Sequence, residues 1–175
     1  MRTGVPPVKS KYVQYYVEGD DEKKLVDVLK TDLNVIKPGK VQKLNVVEQE
    51  ITDIRLRTLK RGTMVVLVFD TDTGNVDILK KNIKTLETCP LVSEVVLIPQ
   101  VANLEEELVR SCNIRRIEEL LNSRSKGDFK RDLISVTNLG KKLQEHQFDM
   151  NLFWSGRPAS PYQDIENQAA KVKLI

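Results

Sequence analysis

The sequence predicts an α/β fold, a mostly parallel central sheet flanked by helices, and three observations carry this. Apolar, β-branched runs recur at 12–17, 64–69 and 95–98. Segments with apolar residues at helical spacing separate them, and Gly or Pro breaks fall at the joins. Strands that alternate with helices must run parallel and be joined by right-handed crossovers, which layers helices against a sheet.

Residues 1–10, with Gly4, Pro6 and Pro7, read as a flexible lead-in, followed by a domain over 11–145 and a C-terminal extension over 146–175 that packs on it or extends it. Tyr12 to Val17 forms the first strand, rich in aromatic and β-branched residues. Asp20 and Asp21 suit a helix N-terminus, where carboxylates meet the positive end of the dipole, and Leu25, Val26, Val28 and Leu29 give that helix its apolar stripe. Pro38-Gly39 breaks the chain, and a short strand is expected around Leu44 to Val47. Ile51, Ile54, Leu56 and Leu59 mark a second helix that stops at Gly62.

Met64 to Phe69 is apolar throughout, as a strand buried on both faces must be. A helix follows from about Asn75 to Glu87, then an apolar strand at Val95-Val96-Leu97-Ile98. Beyond Pro99 helical patterns dominate, around 103–110, 114–122 and 128–145. Phe148 to Trp154 suits a short strand or a packing segment, and Ser160-Pro161 can start a final short helix.

Composition narrows the function classes. With 40% hydrophobic and 30% charged residues over 175 positions, the chain matches one globular domain with a core of useful size. No apolar run approaches the roughly 20 residues that span a bilayer, and no signal-peptide h-region follows Arg2 and Lys9. Cys89 and Cys112 lack CxxC spacing, which fits a reducing, cytoplasmic setting. The balance of 28 basic and 25 acidic residues leaves +3, too little to imply nucleic acid without a local excess.

The chemistry concentrates where strands end. The strand at 64–69 stops in Asp70-Thr71-Asp72-Thr73, and the strand at 12–17 stops in Glu18-Gly19. Ligands of open α/β sheets bind beyond the carboxyl ends of the strands. Carboxylates delivered there suit a hard divalent cation such as Mg2+. Glu22, four residues after Glu18, can be turned toward the same edge by a helix, and Asn103-Leu104-Glu105 follows the next strand. Three successive strand ends thus offer acids to one rim, as metal-assisted phosphoryl transfer requires.

These motifs resemble the Toprim superfamily, shared by topoisomerases, bacterial primases, small RNA-maturing nucleases and the overcoming-lysogenisation-defect (OLD) nucleases. The family has a hydrophobic strand ending in Glu-Gly and a later strand ending in Asp-x-Asp; Glu18-Gly19 and Asp70-Thr71-Asp72 stand in that order, separated by helix, strand and helix, over a match of about residues 12–131. The OLD-type subgroup is the nearest in pattern. It carries a second acid four residues into the first motif, as Glu22 does, a Ser-x-Glu element that Asn103-Leu104-Glu105 resembles with Asn for Ser, and a late Lys-Gly that Lys126-Gly127 resembles. No Gly-x-x-x-x-Gly-Lys-Ser/Thr loop occurs in these 175 residues, so an ATPase, if one works with this chain, is expected on a separate subunit, as in a two-subunit anti-phage defence system.

The resemblance implies a Toprim-like fold and an endonuclease dependent on Mg2+ or Mn2+, acting on DNA or RNA. Glu18 would be a metal ligand or general acid/base, Asp70 and Asp72 would hold the metal, and Glu22 and Glu105 would complete a second position. Lys126 would stabilise charge on the scissile phosphate, with Lys130 as the alternative. Arg124, Lys126, Lys130 and Arg131 form a local basic excess suited to phosphate contacts, or else a solvated helix face.

Other readings of the same residues follow. Asp70-Thr71-Asp72-Thr73 fits the nucleophile motif of haloacid-dehalogenase-type phosphatases, but that family carries it on its first strand, and here it is on the third. A receiver-like phosphoacceptor domain would not need Asp72. A Toprim fold that binds nucleic acid or a partner without cleaving is the main alternative to a nuclease. His146 lacks ligand partners in sequence, Phe153 and Trp154 read as packing groups, and Tyr15-Tyr16 as strand propensity.

Overall fold

The structure, a computed structural model, describes residues 9–174. Most of the lead-in expected at 1–10 therefore lies outside the described residues. The rest is an α/β fold with a four-stranded, all-parallel sheet. In chain order the elements are β1 (Tyr12–Val17), α1 (Asp20–Thr31), β2 (Lys40–Lys43), α2 (Asp53–Arg57), β3 (Thr63–Asp70), α3 (Asp77–Glu87), β4 (Val92–Gln100), α4 (Leu104–Ser111), α5 (Glu118–Leu121), α6 (Lys126–Ser135) and α7 (Leu139–Glu145), with a 3-10 turn at Ala169–Lys171.

The sheet order is β2-β1-β3-β4. From β1 the chain steps outward to β2, then returns past β1 to β3, so β1 and β3 are neighbours at the point where the winding reverses. Such a switch point leaves a crevice at the carboxyl ends of the two strands, because the helices that follow them go to opposite faces. Glu18 and Asp70 are the residues at those two ends.

β3 lies between β1 and β4, and every residue from Thr63 to Phe69 is buried. Its alternate side chains feed two cores, as the two-residue period of a strand dictates. Met64, Val66 and Val68 join Tyr15, Val17, Leu25, Leu29 and Ile98 on one face. Val65, Leu67 and Phe69 join Tyr16, Leu79 and Leu86 on the other. Each such aliphatic side chain contributes about 1.5–3 kcal/mol when fully buried. This double burial is what fixes the register of β3, and with it the position of Asp70.

The segment 146–174 packs on both faces. Phe153, Trp154, Ala169 and Val172 enter the first core, and Tyr162 and Ile165 enter the second. No helix among the described residues is long and apolar enough to cross a membrane.

Several boundaries differ from expectation. The second strand is Lys40–Lys43, a largely exposed edge strand, and not Leu44 to Val47. Leu44, Val46 and Val47 are apolar because they plug the second core from a turn, which imitates a strand pattern. The second helix is reduced to Asp53–Arg57, capped by Thr52 Oγ1 accepting from the Arg55 N–H, and Ile54 points to solvent. The helix expected over 128–145 is two, α6 and α7, parted where Val136 turns extended. Phe148 to Trp154 folds as turns around buried Phe153 and Trp154, and no helix starts at Ser160-Pro161.

Candidate functional site at the carboxyl edge of the sheet

Each strand delivers an acid to the same edge. Glu18 ends β1 and Asp70 ends β3; Asp72 follows two residues on, Glu105 opens α4 beyond β4, and Glu48 lies in the loop beyond β2. Their charges act on one another. Burial comes first in pushing Asp70 up to about 8, and repulsion from Glu18, Asp72 and Glu105 adds to it, while the hydrogen bond from Gln100 works the other way. Burial likewise raises Glu18; hydrogen bonding with Asp70 opposes the shift, and the charges of Asp72 and Glu48 reinforce it.

Local structure explains the placements. Gly19 is the N-cap of α1, and its N–H donates to Glu22 Oε2 at 3.0 Å, so Glu22 closes the first turn of the helix. A Cβ at Gly19 would stand 3.1 Å from Asp21 Oδ1 and 3.2 Å from Glu22 Oε2. The glycine therefore leaves room for two carboxylates that any side chain would crowd. Glu22 is buried and pushed up to about 9, by that burial first, then by the Asp21 carboxylate beside it and the charge of Asp70.

On the β4 side, Gln100 sits opposite Asp70 in the β3–β4 register, and its Nε2 donates to Asp70 Oδ1 at 2.7 Å. Gln100 Oε1 in turn accepts from Trp154 Nε1 at 3.1 Å, which fixes the amide's orientation. Thr71 Oγ1 donates to the Gln100 carbonyl at 2.8 Å, and the Thr71 N–H donates to the Ala102 carbonyl at 3.0 Å, tying the Asp70–Asp72 turn to the end of β4. Thr73 shares a 2.8 Å hydroxyl hydrogen bond with Tyr162. Asn103 caps α4, its Oδ1 accepting from the Glu106 N–H at 3.1 Å.

Among the four basic candidates, only Lys130 reaches these acids. α6 packs on α1 and sets Lys130 Nζ 3.6 Å from Asp21 Oδ2. The Asp21 charge holds the Lys130 ammonium above its ordinary range, against partial desolvation, and Glu22, Glu105 and Glu18 add to that field. Lys126 instead lies 4.0 Å from Glu106 Oε1. Arg131 is occupied by Asp128 and Asp132 of its own helix, at 3.4 and 3.7 Å, and Arg124 is exposed. His146 ends α7, and both cysteines are free thiols.

Three residues of this edge escape the sequence reading. Asp21 is buried, and its Oδ1 has no hydrogen-bond partner; as one acid in an acidic first turn it carries no distinguishing signal. Gln100 acquires its role only through the β3–β4 register. Glu48 follows the apolar Val46-Val47 directly, a signal of the same kind that singles out Glu18.

The donors are all carboxylates, which fits a hard divalent cation in preference to a soft one. Mutual repulsion between them and the orphaned Asp21 Oδ1 are features that added positive charge would relieve. As placed, however, no three His, Cys, Asp or Glu side chains among the described residues stand close enough to hold one ion together. No protein-family model matches the chain, and no curated protein or solved structure matches it either.

Proposed function

We propose that this chain is a Toprim-like endonuclease that cleaves nucleic-acid phosphodiesters with Mg2+ or Mn2+ at the edge where β1 and β3 end. The observation that supports this most is the pairing of Glu18-Gly19 with Asp70-x-Asp72 at adjacent strand ends flanking the switch point. Asp70, Asp72 and Glu18 would hold the cation, with Glu22 and Glu105 at a second position. When bound, such a cation polarises the phosphate and makes a water more acidic.

The chain's own groups then have distinct work. Glu18, whose carboxyl burial raises above its ordinary range, would serve either as a metal ligand or as the general acid/base that takes a proton from the attacking water or returns one to the leaving oxygen. Lys130 is the ammonium best placed to meet negative charge developing on the scissile phosphate. Gln100 and Thr71 hold the Asp70–Asp72 turn in place. An ATPase on a separate polypeptide is the partner this reading allows.

A specific observation favours a second reading, a Toprim-like domain that binds nucleic acid or a partner without cutting it. The acids do not converge on one point, and Asn103 is engaged as a helix cap. Incubating the purified protein with plasmid DNA and with RNA, in Mn2+ or in EDTA, separates the two. Cleavage lost in EDTA and in Asp70→Asn supports the nuclease. Intact substrates, together with no Mn2+ binding by calorimetry, sink it.

A further inference from the structure

At the opposite edge of the sheet, by the amino ends of β1, β2 and β3, lies a cavity of about 500 Å3, within the size range of small-ligand pockets. Lys11, Lys37, Lys40 and Lys60 line it, and among the described residues no Asp or Glu does. Among the described residues none of these lysines enters an ion pair. Elsewhere on this surface lysines are routinely paired, as Lys43 is with Asp20 at 3.0 Å and Lys81 with Glu50 at 2.8 Å. Like charges gathered around one hollow repel one another, so the arrangement favours an anionic occupant.

The walls are built before any ligand arrives. Gly39 lies so close to β1 that a Cβ there would fall 2.4 Å from the Val13 carbonyl oxygen. Lys30 Nζ donates to the Gly39 carbonyl at 2.8 Å, and Tyr15 Oη donates to the Lys37 carbonyl at 2.6 Å. On the far side, Thr63 Oγ1 donates to the Lys60 carbonyl at 2.6 Å, and the Lys11 N–H donates to the Gly62 carbonyl at 2.8 Å. The lysine-bearing backbone is thus pinned on three sides, which lowers the ordering cost of binding. Apolar Tyr12, Val13, Pro38 and Leu59 share the lining with the lysines. Tyr12 is 45% exposed, and Lys60 Nζ stands 4.9 Å from its ring centroid.

We propose that this cavity is a binding site for a nucleotide, its phosphate met by the lysines and its base lying against the exposed Tyr12 ring. Lysine is a compact point charge that suits phosphate, and an exposed aromatic ring accepts any base by stacking. The nucleotide can be free, or it can be the phosphorylated end of a nucleic-acid strand; the recognition chemistry is the same. The acids of the other edge play no part, since they lie at the far ends of the same strands.

The test is calorimetric titration of the full chain in EDTA with AMP, with inorganic phosphate and with a short 5′-phosphorylated oligonucleotide. AMP is expected to bind and to weaken as salt rises. Lys37→Gln with Lys60→Gln, and separately Lys11→Gln with Lys40→Gln, should each weaken it roughly tenfold, while Lys81→Gln and Asp70→Asn leave it unchanged. All four lysines can be altered without opening the core, and circular dichroism checks the fold. Equal affinity for AMP and oligonucleotide identifies a free nucleotide; clearly tighter oligonucleotide binding, weakened by both lysine pairs and not by Lys130→Ala, identifies a strand end. No binding of any of the three, binding indifferent to both lysine pairs, or phosphate bound as tightly as AMP overturns the assignment.

Discussion

Gln100 and Asp70 face each other across β3 and β4, and the 2.7 Å hydrogen bond between them is the link from the acidic edge to the C-terminal segment, because the same amide accepts from Trp154 Nε1. Gln100 is almost fully buried. Replacing it with Leu leaves Asp70 Oδ1 and a buried indole N–H without their partner. The expected cost is about 2 kcal/mol, or a fall in Tm of roughly 4–8 °C. A thermal melt of Gln100→Leu that overlays the parent would show that water or a neighbour replaces the amide freely.

Asp70→Asn separates stability from function. Asparagine keeps an oxygen for Gln100 Nε2 and removes a carboxyl that burial and the neighbouring charges of Glu18, Asp72 and Glu105 hold up at about 8. In EDTA the variant is expected to be more stable than the parent, by on the order of 1 kcal/mol. With Mn2+ the proposed cleavage should fall by more than about 100-fold. If the variant is destabilised in EDTA, the carboxylate is serving the fold and the acids are not held in mutual repulsion.

What could be read from the sequence depended on how far each signal reached along the chain. β3 was legible because burial on both faces leaves an unbroken apolar run, and Glu18, Asp70 and Asp72 were legible because they adjoin such strands. β2 was not, since a polar edge strand precedes three apolar residues that fill the core from a turn. The roles of Lys130, Asp21 and Gln100 come from long-range packing of α6 on α1 and from strand register, and neither leaves a local mark. Lys126, beside the motif-like Gly127, shows the opposite: its signal is local and its side chain turns to Glu106.

The acids also set a pH dependence with a definite sign. Asp70 and Glu22 titrate near 8 and near 9 in the folded protein, both above their ordinary range. Across the interval between the unfolded values and these, the folded state binds more protons, so stability falls as pH rises. Metal-free protein is therefore expected to unfold at lower urea at pH 8.5 than at pH 5.5, with no further gain from this source below about pH 4. Mn2+ at pH 8.5 should restore part of the loss, and Asp70→Asn should flatten the slope. Urea midpoints that rise from pH 5.5 to 8.5 would contradict the raised carboxyls.

Lys130 and Lys126 differ by one helical turn of α6, and comparing their variants tests which of them faces phosphate in the proposed nuclease. Lys130 Nζ stands 3.6 Å from Asp21 Oδ2 under the combined field of Glu22, Glu105 and Glu18, whereas Lys126 reaches only Glu106. Lys130→Ala should therefore lower cleavage by about 10²-fold, the scale on which a lost charge-stabilising donor acts, and Lys126→Ala by no more than a few-fold. Lys130→Arg tests geometry as well as charge, because a planar fork cannot occupy the same point as an ammonium. In EDTA the Lys130→Ala variant leaves the buried Asp21 carboxylate without its ammonium partner, so its Tm should also fall, and Mn2+ should recover more stability for it than for the parent. Cleavage that survives Lys130→Ala and is lost in Lys126→Ala would return the role to the Lys-Gly motif and require α6 to turn on binding substrate.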